Sequence, residues 1–518
     1  MKTSSFFAIL ILGLILSTSC KEHKFQWTYK DAQAATQKQT ETEAPTVLKA
    51  HLKNGSVYFF PGEWTVDTNT SAVSGYAYVY DYNRDLLKNE DLLLPIDSVV
   101  FFEVNKELAL NNGHAMLLPL TLVNTTISIV CLANPKACFG SCPTFYTNED
   151  QGLFSARAEG FSNAIMPSLE YADIDDLQIS SHQGPSFDLL MKNEAQETHV
   201  LRSIKLYAFK AKNDEQVYQS RAGKFFAGKG LYKPINASLF KEADQEEYYS
   251  EADSEDLATK EELVLDFEGI PEGQDIGLVL DFRQSLMTTY FINNAISYMG
   301  DAYSEILSDL ERKGNFYETM DGGFKNELGE LEVLLWNEEN SSWELQGAFY
   351  ETGPIAVNRQ LLKLTNVSSR NLKLKLRMNK GLWRIDRANL TVIKGQLEPQ
   401  IIEPNNVDYN GLKSPSHLKQ LNSPESPMLS MPGDQFLLSF SLPSAEPYAL
   451  FLSAQGYYLE WMRDEWLGDK DPRKLRRMFY QPSRYLKDEA EAFKIYEQTM
   501  ESVFWSSQVP PKPISSKK

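Results

Sequence analysis

The chain has 518 residues, of which 42% are hydrophobic and 12% aromatic, enough for about three domains of ordinary size, each with its own core. Its formal net charge is −19. That excludes nucleic acid as a partner, whose affinity comes from Lys and Arg neutralising phosphates, and it excludes electrostatic adsorption to anionic headgroups.

The first twenty residues read MKTSSFFAILILGLILSTSC. One positive charge, Lys2, precedes an apolar run from Phe6 to Leu16 that is too short to span a bilayer and right for the apolar region of a signal. Small residues Ser17, Thr18 and Ser19 then fit a peptidase cleft, and the thiol of Cys20 stands where a lipid is attached through sulfur. Residues 1–19 are expected to be a signal peptide and Cys20 the lipid-attachment site. The protein is then expected in the cell envelope, anchored to the outer membrane by that lipid. Ser17 occupies the place where such boxes usually carry Leu, so an ordinary cut near Ser19 with Cys20 incidental is the rival reading.

Residues 20–44 are polar and read as a flexible tether. Residues 45–106 read as a small antiparallel β domain: TVLKAHLK and SVYFF flank Asn54-Gly55, a hairpin signal, and further β-branched and aromatic runs follow. Residues 107–142 hold an apolar segment and a cysteine loop. Ala115–Ala133 carries no charge, but Pro119, Asn124, Thr125 and Thr126 interrupt it, so a buried element is favoured over lipid contact. Cys131, Cys138 and Cys142 follow closely. In an oxidising compartment a Cys138–Cys142 disulfide is expected; reduced thiols, or a metal site with Cys131, are the rivals, and structural zinc wants four ligands.

Residues 143–240 read as a second β domain and 241–262 as an acidic linker or lid. Residues 263–395 alternate most clearly, with turn residues between the runs, and predict a β-sandwich with a helical insertion over about 287–317. Residues 396–433, rich in Pro, Asn and Ser, read as a linker. Residues 434–518 read as strands plus C-terminal helices. Ala492, Ile495, Tyr496, Thr499 and Val503 are expected to form the docking side of the last helix. The fold class is therefore mainly β, multidomain and antiparallel, with a jelly-roll-like sandwich and a helical tail.

Several phrases, among them HLKNGSVYFFPGEWTV, PIDSVVFFEV, FGSCPTFY, RAEGFSNAIMPSLE, TGPIAVNRQ and SAQGYYLEWMRDEWL, run in order over nearly the whole mature chain. In them the chain resembles an uncharacterised family of envelope lipoproteins and secreted proteins of diderm bacteria, a resemblance that implies domain order and address but no activity. LEVLLWNEENSSWELQGAFYETGP with LWRIDRANLTVI is similar to the jelly rolls of galactose-binding-like domains. That likeness implies a core containing Trp336, Trp343 and Trp383, with the helical insertion placed where it would cover the ligand rim.

No nucleophile elbow, H-E-x-x-H, P-loop or G-x-G-x-x-G occurs. His23, His51, His114, His182, His199 and His417 are scattered, and Ser141 has no base near it in sequence. Asp81, Asn83 and Asp85 begin a calcium-loop pattern that Leu86 and Leu92 break, which leaves a β-turn. Tyr457, Tyr458, Trp461 and Trp466 are read as packing of the tail on the sandwich, against a surface for sugar or protein. The sequence thus assigns no catalytic residue, no metal ligand and no cofactor. The expectation is a non-catalytic envelope lipoprotein that binds or scaffolds a glycan or a protein, with a glycan-acting hydrolase as the alternative.

Overall fold

The computed structural model describes residues 24–30, 48–52, 56–60, 64–67, 70–80, 86–108, 143–149, 153–161, 164, 170–182, 184–212, 214–303, 327–349, 353–423, 427–461, 466 and 469–511. Cys20, Cys131, Cys138, Cys142, segment 115–133 and the Asp81–Asp85 turn lie outside them. Contacts divide the chain into two units, Met1–Leu117 with Met462–Gly468, and Leu118–Trp461 with Asp469–Lys518.

The first unit is one antiparallel sheet of β1 (Lys24–Lys30), β2 (Leu48–Leu52), β3 (Val57–Phe60), β4 (Trp64–Asp67), β5 (Ala72–Tyr80), β6 (Leu86–Pro95) and β7 (Val99–Leu108). The order is β1-β7-β2-β3-β5-β4, with β6 on the other edge of β5. The hairpin expected around Asn54-Gly55 is there, with Leu48 opposite Phe60 and His51 opposite Val57. Leu48, Ala50, Phe60, Trp64, Val73, Ala77 and Leu94 bury together on one face, as a two-residue period requires. Where a tether was expected, Lys24–Lys30 pairs with β7 along its whole length. Phe25, Trp27 and Tyr29 alternate with polar residues there, a strand pattern that the polar composition of the surrounding segment hides.

The second unit begins with β8 (Thr144–Glu149), β9 (Leu153–Glu159), β10 (Tyr171–His182), β11 (Ser186–Lys192) and β12 (Glu197–Lys210). The chain then enters a sandwich made of β13 (Glu215–Gln219), β14 (Phe225–Tyr232), β15 (Tyr248–Tyr249), β16 (Lys260–Phe267), β17 (Ile276–Gln284), β18 (Leu331–Asn337), β19 (Ser342–Phe349), β20 (Asn358–Lys363), β21 (Leu372–Asn379) and β22 (Trp383–Leu397). Helix α1 (Met287–Met299) follows β17. The chain returns through β23 (Gln400–Ile402), β24 (Asn406–Tyr409), β25 (Leu412–Lys413), helix α2 (Pro415–Leu421), β26 (Met428–Ser430), β27 (Gln435–Ser441) and β28 (Tyr448–Glu460). Helices α3 (Pro472–Tyr480), α4 (Pro482–Asp488), α5 (Ala490–Glu497) and α6 (Met500–Ser506) form the tail.

The returning strands are not linker and tail. β27 pairs with β11, β28 pairs with both β10 and β12, and β23 and β26 also pair with β12. Residues 396–433, read as a linker from their composition, therefore hold strands that complete sheets begun before residue 211. Tyr457 and Tyr458 are fully buried, as expected of packing residues, but in β28 against β12 rather than on the sandwich. Trp461 is also buried and donates its indole N–H to the Thr198 hydroxyl at 3.0 Å.

In the sandwich, β13, β20, β17, β22 and β14 close on themselves, because β14 pairs with β22 as well as β13. Closure brings β14 hard against its neighbours at Gly228, where a Cβ would stand 2.6 Å from the Tyr218 ring and 2.8 Å from the Thr391 hydroxyl. The second layer is β16-β21-β18-β19. Phe282 of β17 meets Phe349 of β19 at 5.2 Å and Trp383 of β22 at 5.9 Å between ring centres. β13 and β14, expected in the preceding domain, belong to this closed ring.

The acidic segment 241–262 is not a free lid. Glu247 receives both Nε and Nη2 of Arg283 at 2.6 and 2.8 Å, and Asp386 accepts the backbone N–H groups of Asp244 and Gln245. The tail docks on α1: Tyr290 meets Phe493 at 5.3 Å, and Glu489 accepts from Tyr290, Tyr298 and Lys474. The docking side is Leu486, Ala490, Phe493 and Met500. Ile495, at 68% exposure, and Val503 point to solvent, and Ala492 and Thr499 are exposed with them. Of the expected face Tyr496 does pack on α1, its ring 5.1 Å from that of Tyr290, while the other four residues miss it because aromatic contacts with α1 and the Glu489 ion pair choose the side, and the helix breaks at Gln498–Thr499, between α5 and α6, resetting its phase.

Candidate functional site

Of the three tryptophans expected in the sandwich core, one is there. Trp383 is 1% exposed and enclosed by the sheets. Trp336 and Trp343 lie directly opposite each other on β18 and β19 and are half-buried. Their rings meet edge to face at 5.3 Å, and Lys375 sits 4.5 Å over Trp343. Leu331, Val333 and Leu335 of β18 are buried on the inner face and Trp336 with its cross-strand partner lies on the other, although Leu334 of that other face is also buried where the β18–β19 register shifts. The same outer face carries Leu345 at 60% exposure and Val264.

Trp336 also borders a cleft of about 660 Å³ at one end of the β16-β21-β18-β19 sheet. The end of β16 supplies Asp266 and Glu268, and the end of β18 with its turn supplies Asn337, Glu338 and Glu339. β19 adds Glu344, and residues 366–373 add amides, hydroxyls and Lys373. The Asn337 amide donates to Glu344 at 2.6 Å, while its own carbonyl oxygen accepts the backbone N–H groups of Glu339 and Asn340, which shapes the turn. Asp266 is held at its backbone N–H and its carboxylate by the side chain of Asn236. No residue of α1 lines the cleft; the helical insertion is held instead by the tail. A half-buried aromatic ring beside fixed amides and carboxylates has the chemistry to stack on an apolar ring face and to exchange hydrogen bonds with polar groups.

The titrating groups lie elsewhere. Asp281 is buried between Arg359, which grips it with two nitrogens at 2.9–3.2 Å, and Arg387 at 3.0 Å. Asp176 stands 4.0 Å from Arg359, and burial pushes its carboxyl up to about 6 against the pull of that guanidinium. Burial and the charge of Asp281 raise Asp386 to about 6. The cavity beside Asp176 measures about 20 Å³, room for a water and not for a sugar.

His199 is fully buried and its Nε2 lies 2.6 Å from Glu197. Burial lowers it to about 3, against Asp434 and Glu460, and its Nδ1 has no hydrogen-bond partner, so the neutral ring donates to the carboxylate. His417 meets the Ser414 hydroxyl through Nδ1 at 2.7 Å, three residues away at the start of α2. The neighbouring carboxylate, Asp434, accepts from Tyr409 and from the Met431 N–H. Ser414 precedes the first residue of α2, so the His417 contact sits at the start of that helix. His182 contacts the Ser186 carbonyl oxygen at 2.9 Å. Among the described residues no group of three or more His, Cys, Asp or Glu is placed to hold a metal ion, and no helix is long and apolar enough to cross a membrane.

No protein-family model matches the chain, and no curated relative matches it. Among solved structures it is similar to BuGH86 in complex with neoagarooctaose, at 7% identity and a TM-score of 0.17, over 41% of this chain and 33% of that one. It is similar at 8% identity and a TM-score of 0.17 to a β-porphyranase of glycoside hydrolase family 86 from the human gut bacterium Bacteroides plebeius, over 47% of this chain and 39% of that one. The VP2 subviral particle of infectious bursal disease virus matches at 10% identity and a TM-score of 0.14, over 72% and 88%. The chain thus spans well under half the length of the two glycan-related proteins, and the functional reading is drawn from its own side chains.

Proposed function

We propose that this chain is a non-catalytic glycan-binding module, held in the cell envelope by a lipid on Cys20. The observation that carries the binding reading is Trp336, a half-buried ring at the border of a cleft lined by amides and carboxylates. The catalytic alternative finds less support. Among the described residues the carboxyls raised to about 6, as a general acid requires, are Asp176 and Asp386, and neither lines the cleft.

Trp336→Ala tests the reading. The variant should keep its melting temperature within a few degrees and lose binding on a glycan array and by calorimetry. Loss of binding accompanied by loss of the fold would return Trp336 to the core. Retained binding in a folded variant would remove the cleft from the function.

A further inference from the structure

The charge of the cleft decides which glycans enter it, an inference that rests on the glycan reading above. Trp336 offers an apolar face that stacks on any sugar ring, so it selects little. Selection falls to the charged lining. Asp266, Glu268, Glu338, Glu339 and Glu344 face Lys373, the one cation among the lining residues.

These five carboxylates form no ion pair among the described residues. Elsewhere on the same sandwich such groups are neutralised: Glu262 by Lys375, Asp275 by Lys363 and Glu332 by Arg377, at 2.5–2.8 Å. Asn337 and Asn236 supply neutral hydrogen bonds to Glu344 and Asp266 without cancelling their charge. A sulfate or uronate brought into this cleft meets like charge, whereas a hydroxyl donates to a carboxylate and an ammonium donates with charge assistance.

We propose that the cleft takes glycans carrying free amino groups in preference to neutral ones, and excludes polyanionic glycans. The carboxylates on the turn after β18, Glu338 and Glu339, are the ones an ammonium would meet at the open mouth. The cleft is open to solvent, so this preference is screened by salt.

The test compares three oligosaccharides of equal length by calorimetry at 50 and 300 mM NaCl: a chitosan oligomer, its N-acetylated form and an oligogalacturonate. The chitosan oligomer should bind several-fold more tightly than the acetylated one at low salt, and the oligogalacturonate not at all. The gap should narrow at high salt and in Glu338→Gln/Glu339→Gln. Trp336→Ala should abolish binding of both chitin-derived oligomers, which separates the cleft from general adsorption of a polycation to an acidic protein. Oligogalacturonate binding as well as the acetylated oligomer in a Trp336-dependent manner would overturn the charge inference and leave the glycan reading standing. Binding by none of the three, or binding indifferent to Trp336, would overturn both.

Discussion

Asp176→Asn should change how stability depends on pH more than it changes stability at any single pH. The carboxyl of Asp176 titrates near 6 in the folded protein and near ~3.9 in an unfolded chain. A group raised on folding favours the folded state when protonated. Its contribution is complete below the unfolded value and is lost as pH rises through the folded value. At ~1.4 kcal/mol per tenfold change, the full swing is at most about 3 kcal/mol. His199 works the other way: its folded value near 3 lies below the unfolded ~6.5, so its contribution is present at neutral pH and lost on acidification. Between pH 6 and 4 the His199 slope opposes that of Asp176, while Asp386, also raised to about 6, adds to the Asp176 slope, and the substitution removes the Asp176 share alone. Asn keeps an oxygen for the Gln178 N–H that Asp176 now accepts at 2.7 Å, and Arg359 keeps its two-nitrogen grip on Asp281. The variant should therefore fold, be more stable than wild type at pH 7.5, and lose that advantage steadily toward pH 4.5. Urea denaturation at pH 7.5, 6.0 and 4.5, with m-values compared, reads this directly. Parallel wild-type and variant profiles would refute the reasoning, because the raised carboxyl would then not be what couples proton binding to folding.

The remaining expectations concern packing and the anchor. Trp383→Ala removes a ring enclosed by both sheets and should cost roughly 3–5 kcal/mol in chemical denaturation, against under about 1 kcal/mol for half-buried Trp336→Ala. Gly353→Ala drives a Cβ into the Glu159 carboxylate, which accepts the N–H groups of Ile355 and Ala356 at 2.8 and 2.9 Å. It should lower the melting temperature by several degrees, and Glu159→Ala should relieve the clash without restoring wild-type stability. Cys20→Ser should move the protein from the membrane to the soluble fraction or block its maturation; unchanged partition would refute the lipid anchor. Mass spectrometry without reductant should find Cys138 and Cys142 joined, a short ring giving at most about 2–3 kcal/mol in the chain-entropy model.

Much of the local structure was legible in the residues themselves. Alternating apolar runs mark the strands, Asn54-Gly55 marks its hairpin, and the apolar spacing after Leu286 marks α1, because each depends on neighbours a few positions apart. Three features depend on partners far along the chain, and the tertiary structure alone decided them. β11 and β12 pair with strands about 250 residues later, and alternation states which way a side chain points without stating which strand lies beside it. The same limit hid the orientation of Trp336 and Trp343: period-two alternation puts them on one face, and only the position of the facing sheet makes that face outer. The tail helix carried two plausible apolar sides, and Tyr290, Tyr298 and Lys474 selected the one bearing Glu489 and Phe493. The cleft has the same origin. Asp266, Asn337, Glu344 and Lys373 come from four strands or their ends, scattered over more than a hundred residues, and no local spacing announces a site that sheet pairing assembles.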